Sequence, residues 1–380
     1  MNILHITKYS MLKGGVAKVI KELATRTIEN GDNAIVLSSC TEDHNNCVDG
    51  IQLLHEDFPT PGVHFFRNRR LLDKIVGICK QYNVDIIHCH GAYRAGFVGY
   101  LVKKRTSIPY IVTSHGDLHP MSKRTHKKVF RRRIKKVLKS SAFVTHLCEE
   151  MKESTNKYQD QHESQTIRNG IDLKKWGRCL GHDVGKYILY VGRLEKEKGV
   201  DVLLNAYKLL PKEARIPLLL LGDGSERENL RQLAVDLGLE IDDCPNGLWN
   251  EQLAEVSFQG WVDENRLHEY YHKAQLVVVP SRFESFGLVL LEAMASGKAL
   301  VVSDIPVFNE ILTQGRNAEM AKPCDSGSFA LKIKKLICDP TLRTEYETNN
   351  RKDVQCFDWD VIFSKYFDIY RKVVEKKRIK

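Results

Sequence analysis

The chain has 380 residues, is 42% hydrophobic and 28% charged, and sets 58 lysines and arginines against 48 acidic residues for a formal net charge of +10. This is the composition of a globular protein with room for two separately cored domains, and no apolar run reaches membrane-spanning length. The ten cysteines form no C-x-x-C pair, and the start MNILHITKY lacks the basic opening and long apolar region of a signal peptide, so free thiols in a reducing cytoplasm are expected.

The pattern opens with an apolar strand over 2–9, a turn at Lys13-Gly14-Gly15 and a helix over 16–30 closed by Gly31. Strand, glycine turn and helix are how a Rossmann-like half begins, with the bare backbone of Gly14 and Gly15 brought near a ligand at the strand's carboxyl end. A plain turn needs no ligand and is the alternative. The spacing is not G-x-G-x-x-G, so a dinucleotide is not indicated. Further strands follow over 33–38 and 84–88, with a helix over 71–82 between them. His88 and His90, two apart on a strand, share a face without completing a metal site, and neither metal nor cofactor is assigned. A strand over 108–113 carries Ser114-His115-Gly116-Asp117 at its carboxyl end, the edge at which such sheets bind ligands.

Between Asp117 and Glu149 no acidic residue intervenes, while ten lysines and arginines lie over 123–139. Val129, Phe130, Ile134, Val137 and Leu138 form the apolar stripe of an amphipathic helix there. A solvated face docked by its stripe is the minimal reading. Attachment to anionic lipid is a second reading, at about 1 kcal/mol per charge near such a surface. Nucleic acid is not assigned, since no interleaved aromatics or known module accompany the charge. A strand over 142–147 follows, and residues 173–185, with three glycines and no periodicity, are the best linker.

The second half opens with a strand over 187–191 and Gly192-Arg193-Leu194-Glu195-Lys196-Glu197-Lys198-Gly199, ahead of a helix over 200–210. Two fixed cations and helix-terminal amides would stabilise the charge of a departing diphosphate without a metal. A strand over 217–221, the tight turn Gly222-Asp223-Gly224 and a helix over 226–237 come next. Residues 239–257 read as an inserted loop or short helix of unknown purpose. A strand over 275–279 runs through Pro280 into a polar loop at 281–285. From Phe286 the pattern is helical, with Leu288, Leu291 and Met294 on one face and Gly297 as the stop. The first amides of that helix, near Phe286 and Gly287, suit a phosphate. Glu292, from the same helix, can take two hydrogen bonds from a vicinal diol such as a ribose. Glu284 can accept from whatever lies beyond the phosphates, so the outline is that of a nucleotide-sugar site. A strand over 299–303 and a terminal helix over 361–374 complete the chain. Asp358-Trp359-Asp360 imitates a D-x-D metal motif, and capping of that helix by Asp358 is the better account.

Residues 284–297, ESFGLVLLEAMASG, resemble the E-x7-E signature of the retaining, GT-B-fold glycosyltransferases, the large family typified by bacterial lipid and polysaccharide sugar transferases. Gly192 to Gly199 is similar to that family's G-R-L-x-x-x-K-G, Asn169-Gly170-Ile171-Asp172 to its N-G-I/V-D turn, and Phe258-Gln259-Gly260 to its F-x-G strand. The likeness covers roughly residues 1–370 and is strongest over 187–304. It departs where the family has proline near Lys298-Ala299, and where residues 305–311 replace a glycine-rich version.

The resemblance implies an α/β GT-B fold, two Rossmann-like domains facing across a cleft. Residues 1–178 would form an acceptor-side domain, 186–357 a donor-binding domain, and 358–380 a helix crossing back to the first. It implies transfer of a hexosyl unit from a UDP- or GDP-sugar with retention and without metal. The acceptor would be a glycan or polyprenyl-diphosphate-linked molecule in surface polysaccharide, lipopolysaccharide or glycolipid synthesis, met at the inner membrane face through the basic helix 123–139. His115 and Asp117 would flank the transferred sugar as catalytic residues, with Glu284 at its hydroxyls or the phosphate region. The donor would be held by Gly14, Gly15, Arg193, Lys198, Gly222, the backbone at Phe286, Gly287 and Leu288, and Glu292. Two other classes stand beside this one: a nucleotide-sugar epimerase or hydrolase on the same scaffold, and a basic lipid- or nucleic-acid-binding protein without catalysis.

Overall fold

The structure is a computed structural model and describes residues 1–11, 14–40, 47–48, 50–58, 69–116, 118, 128–158, 163–176, 185–243 and 254–378. The chain divides into two compact units, Met1–Gly170 with Trp359–Lys380, and Ile171–Asp358.

Unit 1 is built on eight strands: β1 (Asn2–Thr7), β2 (Asn33–Ser38), β3 (Cys47–Val48), β4 (Ile51–His55), β5 (Ile86–His90), β6 (Tyr110–Ser114), β7 (Phe143–His146) and β8 (Ser164–Thr166). Their order is β3-β4-β2-β1-β5-β6-β7-β8, parallel except for the β3–β4 pair. Parallel strands are covered on both faces, which is why β1, β5 and β6 are apolar runs broken only by short polar groups and histidine. Alternate residues serve opposite faces. Leu4, Ile6, Ile87, Cys89 and Val112 pack with the helices Arg69–Gln81, Ala95–Thr106 and Lys128–Ser140. Ile3, Ile86 and Ile111 pack with Gly15–Glu29 and Trp359–Arg378. The last helix docks through Trp359, Ile362, Tyr366, Ile369, Tyr370 and Val373, spaced three and four apart as one helical face requires.

Unit 2 is a seven-stranded parallel sheet of β9 (Tyr187–Val191), β10 (Leu218–Leu221), β11 (Ile241–Asp243), β12 (Val256–Gly260), β13 (Ala274–Val279), β14 (Ala299–Ser303) and β15 (Ala318–Ala321). Its order is β11-β12-β10-β9-β13-β14-β15. In both sheets the chain starts in the middle, builds outward to one edge and returns to build toward the other. The reversal leaves a crevice at the carboxyl ends of β1 and β5 in unit 1 and of β9 and β13 in unit 2, the place where open α/β sheets hold ligands.

Three local expectations change. Residues 241–243, expected in an inserted loop or short helix, form the edge strand β11 and pair with Val256 to Phe258; residues 244–253 lie outside the described ones. The linker expected over 173–185 begins as a helical turn, Leu173–Trp176, whose Trp176 is buried against His268 and Tyr271 of unit 2; residues 177–184 are outside the described ones. The helix expected from Phe286 starts at Leu288, because Gly287 sits at φ +92° and caps it from a left-handed conformation.

The basic helix is described over Lys128–Ser140. It buries Ile134, Val137 and Leu138 and exposes Arg131, Arg132, Lys135, Lys136 and Lys139. It lies so close to its neighbour that a Cβ on Gly96 would come within 2.8 Å of Val137 Cγ1. Residues 123–127 of the expected basic stretch are outside the described ones. Among the described residues no helix is long and apolar enough to cross a membrane, and the cysteines whose side chains are described are free thiols.

Candidate active site

In unit 2 the loops that leave the strands meet at the β9/β13 crevice, and glycine lets them meet. A Cβ on Gly199 (φ +68°) would fall 2.1 Å from the Pro280 carbonyl oxygen, and one on Gly222 (φ +130°) 1.9 Å from that of Gly192. Backbone bonds complete the floor: Gly192 N–H donates to Leu221 O at 2.9 Å, Gly222 N–H to Gly260 O at 2.7 Å, and Leu194 N–H to Asp223 O at 3.0 Å. The residues after β9, β10 and β12 are thereby fixed against one another by main chain alone.

On this floor Lys198 ends a single 3₁₀ turn, Lys196–Lys198, and its ammonium forms an ion pair with Glu284 from the loop after β13. Both side chains are largely buried. Ser281 Oγ donates to the same Glu284 oxygen at 3.2 Å. Arg193 lies out in solvent, paired at 2.9 Å with Glu197, and its carbonyl accepts from Tyr190 Oη at 2.9 Å. An exposed pair of that kind contributes little. The lysine is the built-in cation of the crevice and the arginine an adaptable one.

Glu292 projects from the second turn of helix Leu288–Ala295 and is 5% exposed. Tyr271, fully buried, donates its hydroxyl to Glu292 Oε2 at 3.0 Å. Burial, and then the adjacent Glu292 charge, push that phenol far above its ordinary pKa, so it remains a donor. Trp176 meets the ring of Tyr271 edge-on at 5.4 Å, so an aromatic pair supports the carboxylate. At the start of the same helix the Leu290 amide bonds to Gly287 O at 3.0 Å. The helix's first amides are therefore those of Leu288 and Val289, while Phe286 and Gly287 form the turn that precedes it.

Two residues of this site were not anticipated. Arg282 grips Asp201 with both nitrogens, at 2.7 and 2.6 Å, and donates to Lys196 O at 2.7 Å, binding the loop after β13 to the turn after β9. Burial alone would raise the Asp201 carboxyl, but Arg282 outweighs it and holds it below its usual range. Tyr271 was the other. Neither pair had a sequence signal, since Arg282 and Asp201 lie 81 residues apart and Tyr271 and Glu292 lie 21 apart.

In unit 1 the helix Gly15–Glu29 begins one residue earlier than expected, with Gly14 at φ +100° as its cap. His115 follows β6 and lies 3.0 Å, Nε2 to Nδ1, from His90 at the end of β5. Asp117 is outside the described residues. The parallel register of β1 and β5 also brings His5 opposite His88, so the pair expected to lack a third partner has one, and nitrogens of His5, His88 and His90 lie within 4.8 Å of each other. They are already committed: His88 Nδ1 to Tyr370 Oη at 2.7 Å, His88 Nε2 to Thr113 Oγ1 at 2.6 Å, and His90 Nε2 to His5 Nδ1 at 3.1 Å. A metal would have to displace those bonds.

Residues 13–175 match the family model described as Glycosyltransferase Family 4, and residues 185–339 the one described as Glycosyl transferases group 1. An uncharacterized glycosyltransferase of Methanocaldococcus jannaschii is 27% identical over 95% of each chain. The alpha-monoglucosyldiacylglycerol synthase of Streptococcus pneumoniae is 26% identical over 79% of this chain and 70% of its own length. Among solved structures, Anabaena HepE in complex with UDP superposes with a TM-score of 0.77 at 19% identity, over 98% of this chain and 100% of that one.

Proposed function

This chain belongs to the group 1 and family 4 glycosyltransferases and has their GT-B fold, and on that premise we propose that it moves a hexosyl unit from a nucleotide diphosphate sugar to an acceptor with retained anomeric configuration and no metal. The observation that carries this reading is the Lys198–Glu284 pair at the β9/β13 crevice. A cation stands there, held by a carboxylate, next to a helix start and to a second, propped carboxylate. Incoming diphosphate competes with Glu284 for the ammonium. Lys198, aided by Arg193 and the backbone around Gly287 and Leu288, then stabilises the charge that grows on the leaving group. Glu292, its Oε2 already oriented by Tyr271, offers its carboxylate to the ribose diol. Glu284, released from Lys198, meets the sugar hydroxyls, and Gly222 keeps the crevice floor low enough for the nucleotide. In unit 1, His115 and Asp117 act on the transferred sugar, with Gly14 and Gly15 offering bare backbone. No covalent nucleophile is invoked. The acceptor attacks the face from which the diphosphate departs, and a leaving-group oxygen takes its proton.

A thermal-shift panel of UDP-, GDP- and ADP-sugars tests the donor half, because a ligand that binds only the folded state raises Tm. A UDP-sugar is the first to try. One nucleotide class is expected to shift the wild-type protein, and Glu292→Gln to need about tenfold more of it, the worth of one or two hydrogen bonds. A flat response to the whole panel sinks the proposal. Release of an epimer or free sugar at full rate without acceptor would favour the epimerase or hydrolase instead.

The acceptor is proposed to be lipid-linked and reached at an anionic membrane surface. Supporting this are the five exposed cations among the described side chains of helix Lys128–Ser140 and the glycolipid in the Streptococcus relative's name. Cosedimentation with vesicles containing anionic phospholipid is expected at low salt and should fade as salt rises. Arg132→Glu with Lys136→Glu should abolish it and leave the nucleotide shift intact. Equal binding of wild type and variant would remove the basis for the membrane claim.

A further inference from the structure

Three imidazoles form a chain inside unit 1. Nδ1 of His5 lies 3.1 Å from Nε2 of His90, and Nδ1 of His90 lies 3.0 Å from Nε2 of His115. The rings follow one another at 5.3 Å, tilted by only 23° and 22°. His5 and His90 are fully buried. Burial lowers all three, His5 to about 3, His115 to about 4 and His90 well below its ordinary value, so each ring is neutral at pH 7 and carries one N–H.

A neutral chain of this kind has two arrangements. In the first, His115 donates from Nε2 to His90, which donates from Nε2 to His5. The proton of His5 then lies on its Nε2, which is buried without a partner. In the second, His5 donates from Nδ1 to His90, and His90 donates from Nδ1 to His115. Only a lone pair on His5 Nε2 is then left unmet. A buried N–H with nothing to bind is rarer than an unmet acceptor, so the second arrangement wins. His88 stands outside the chain, since both its nitrogens hold hydroxyls, those of Tyr370 and Thr113.

We propose that His5 and His90 are positioning residues that hold His115 in its Nδ1–H tautomer, so that His115 presents a hydrogen-bond donor to a sugar oxygen. Free neutral histidine prefers the other tautomer, with the proton on Nε2. The relay reverses that preference by using Nε2 as an acceptor. Its catalytic consequence rests on the placement of His115 beside the transferred sugar, but the tautomer itself is readable without any substrate.

The test is a long-range ¹H–¹⁵N spectrum of the full chain with ¹⁵N-labelled histidine, which distinguishes the protonated from the bare nitrogen of each ring. In the wild type the protonated nitrogen of His115 is expected to be Nδ1; a proton on Nε2 overturns the proposal outright, whatever the variants do. His90→Phe keeps the ring volume and removes the bond, so His115 should return to the Nε2–H form. kcat should then fall about tenfold with KM for the donor little changed. His90→Asn, whose amide nitrogen takes the place of Nδ1 and can donate to the same nitrogen, should restore the Nδ1–H signal and most of kcat. Loss of activity in His90→Phe with an unchanged His115 tautomer would mean that His90 is merely structural. A wild type with the expected tautomer but no nucleotide-sugar affinity would instead sink the transferase mechanism and leave the relay standing.

Discussion

Lys198→Ala is expected to lower kcat/KM for the sugar donor by about 10²–10³-fold, a loss of about 2.7–4 kcal/mol of transition-state stabilisation. Lys198 is the pre-placed cation of the crevice, its side chain only 17% exposed, and a charge in such a place is weakly screened. Its removal also strands Glu284, kept by Ser281 alone among its described partners, at the proposed diphosphate position. Ground-state affinity should therefore fall together with the rate. Two comparisons make this specific. Arg193→Ala removes a guanidinium that is 63% exposed and already paired with Glu197, so a smaller loss, about tenfold, is expected. Glu284→Gln releases Lys198, so nucleoside diphosphate should bind as well as before or better, while transfer slows for want of a contact to the sugar. Steady-state kinetics and calorimetry with the nucleoside diphosphate read both quantities. A Lys198→Ala enzyme within tenfold of wild type, or one less impaired than Arg193→Ala, would remove the cation from the mechanism.

Gly222→Ala is expected to destabilise unit 2 by about 3 kcal/mol or more and to abolish nucleotide binding. The residue combines φ +130° with a Cβ position 1.9 Å from the Gly192 carbonyl oxygen. Neither obstacle is a flexible side chain that could swing away. To admit the methyl group the turn must leave Gly192, which moves Arg193 and the whole segment up to Lys198. Gly238→Ala supplies the control. Its φ is +64°, but the nearest atom is the Lys208 ammonium at 3.7 Å, so only the backbone penalty of about 1 kcal/mol applies and binding should persist. Denaturation followed by tryptophan fluorescence, alongside nucleotide titration, separates the two. Equal effects from the two substitutions would mean that the contact with Gly192 does not constrain the site.

The sheets were legible because burial on both faces leaves uninterrupted apolar runs such as LLLL at β10 and LVVV at β13. The crevice was legible because glycine, charge and a helix start follow one another within short stretches, as at residues 192–199 and 284–292. Chemistry assembled from distant segments was not legible. Tyr271 beneath Glu292, Arg282 on Asp201 and His5 against His90 are polar groups inside or beside apolar strands, and in one dimension each looks like an ordinary interruption. The strand Ile241–Asp243 was hidden for another reason: three residues rich in acid lack the β-branched alternation of a strand, and only pairing with Val256 to Phe258 defines it. The Leu288 start was displaced by Gly287, whose left-handed backbone is invisible until its dihedrals are known.

The return of Trp359–Arg378 to the first sheet makes unit 2, in covalent terms, an insertion within unit 1. During synthesis the face bearing Ile3, Ile86, Ile111 and Phe143 must wait until residues 359–378 have been made before its cover arrives. The inserted unit, whose segments are contiguous, has all its residues outside the ribosome earlier. The order of maturation is therefore the reverse of the order of translation. A chain truncated after residue 358 and released should present a finished second unit beside a greasy, chaperone-seeking first one.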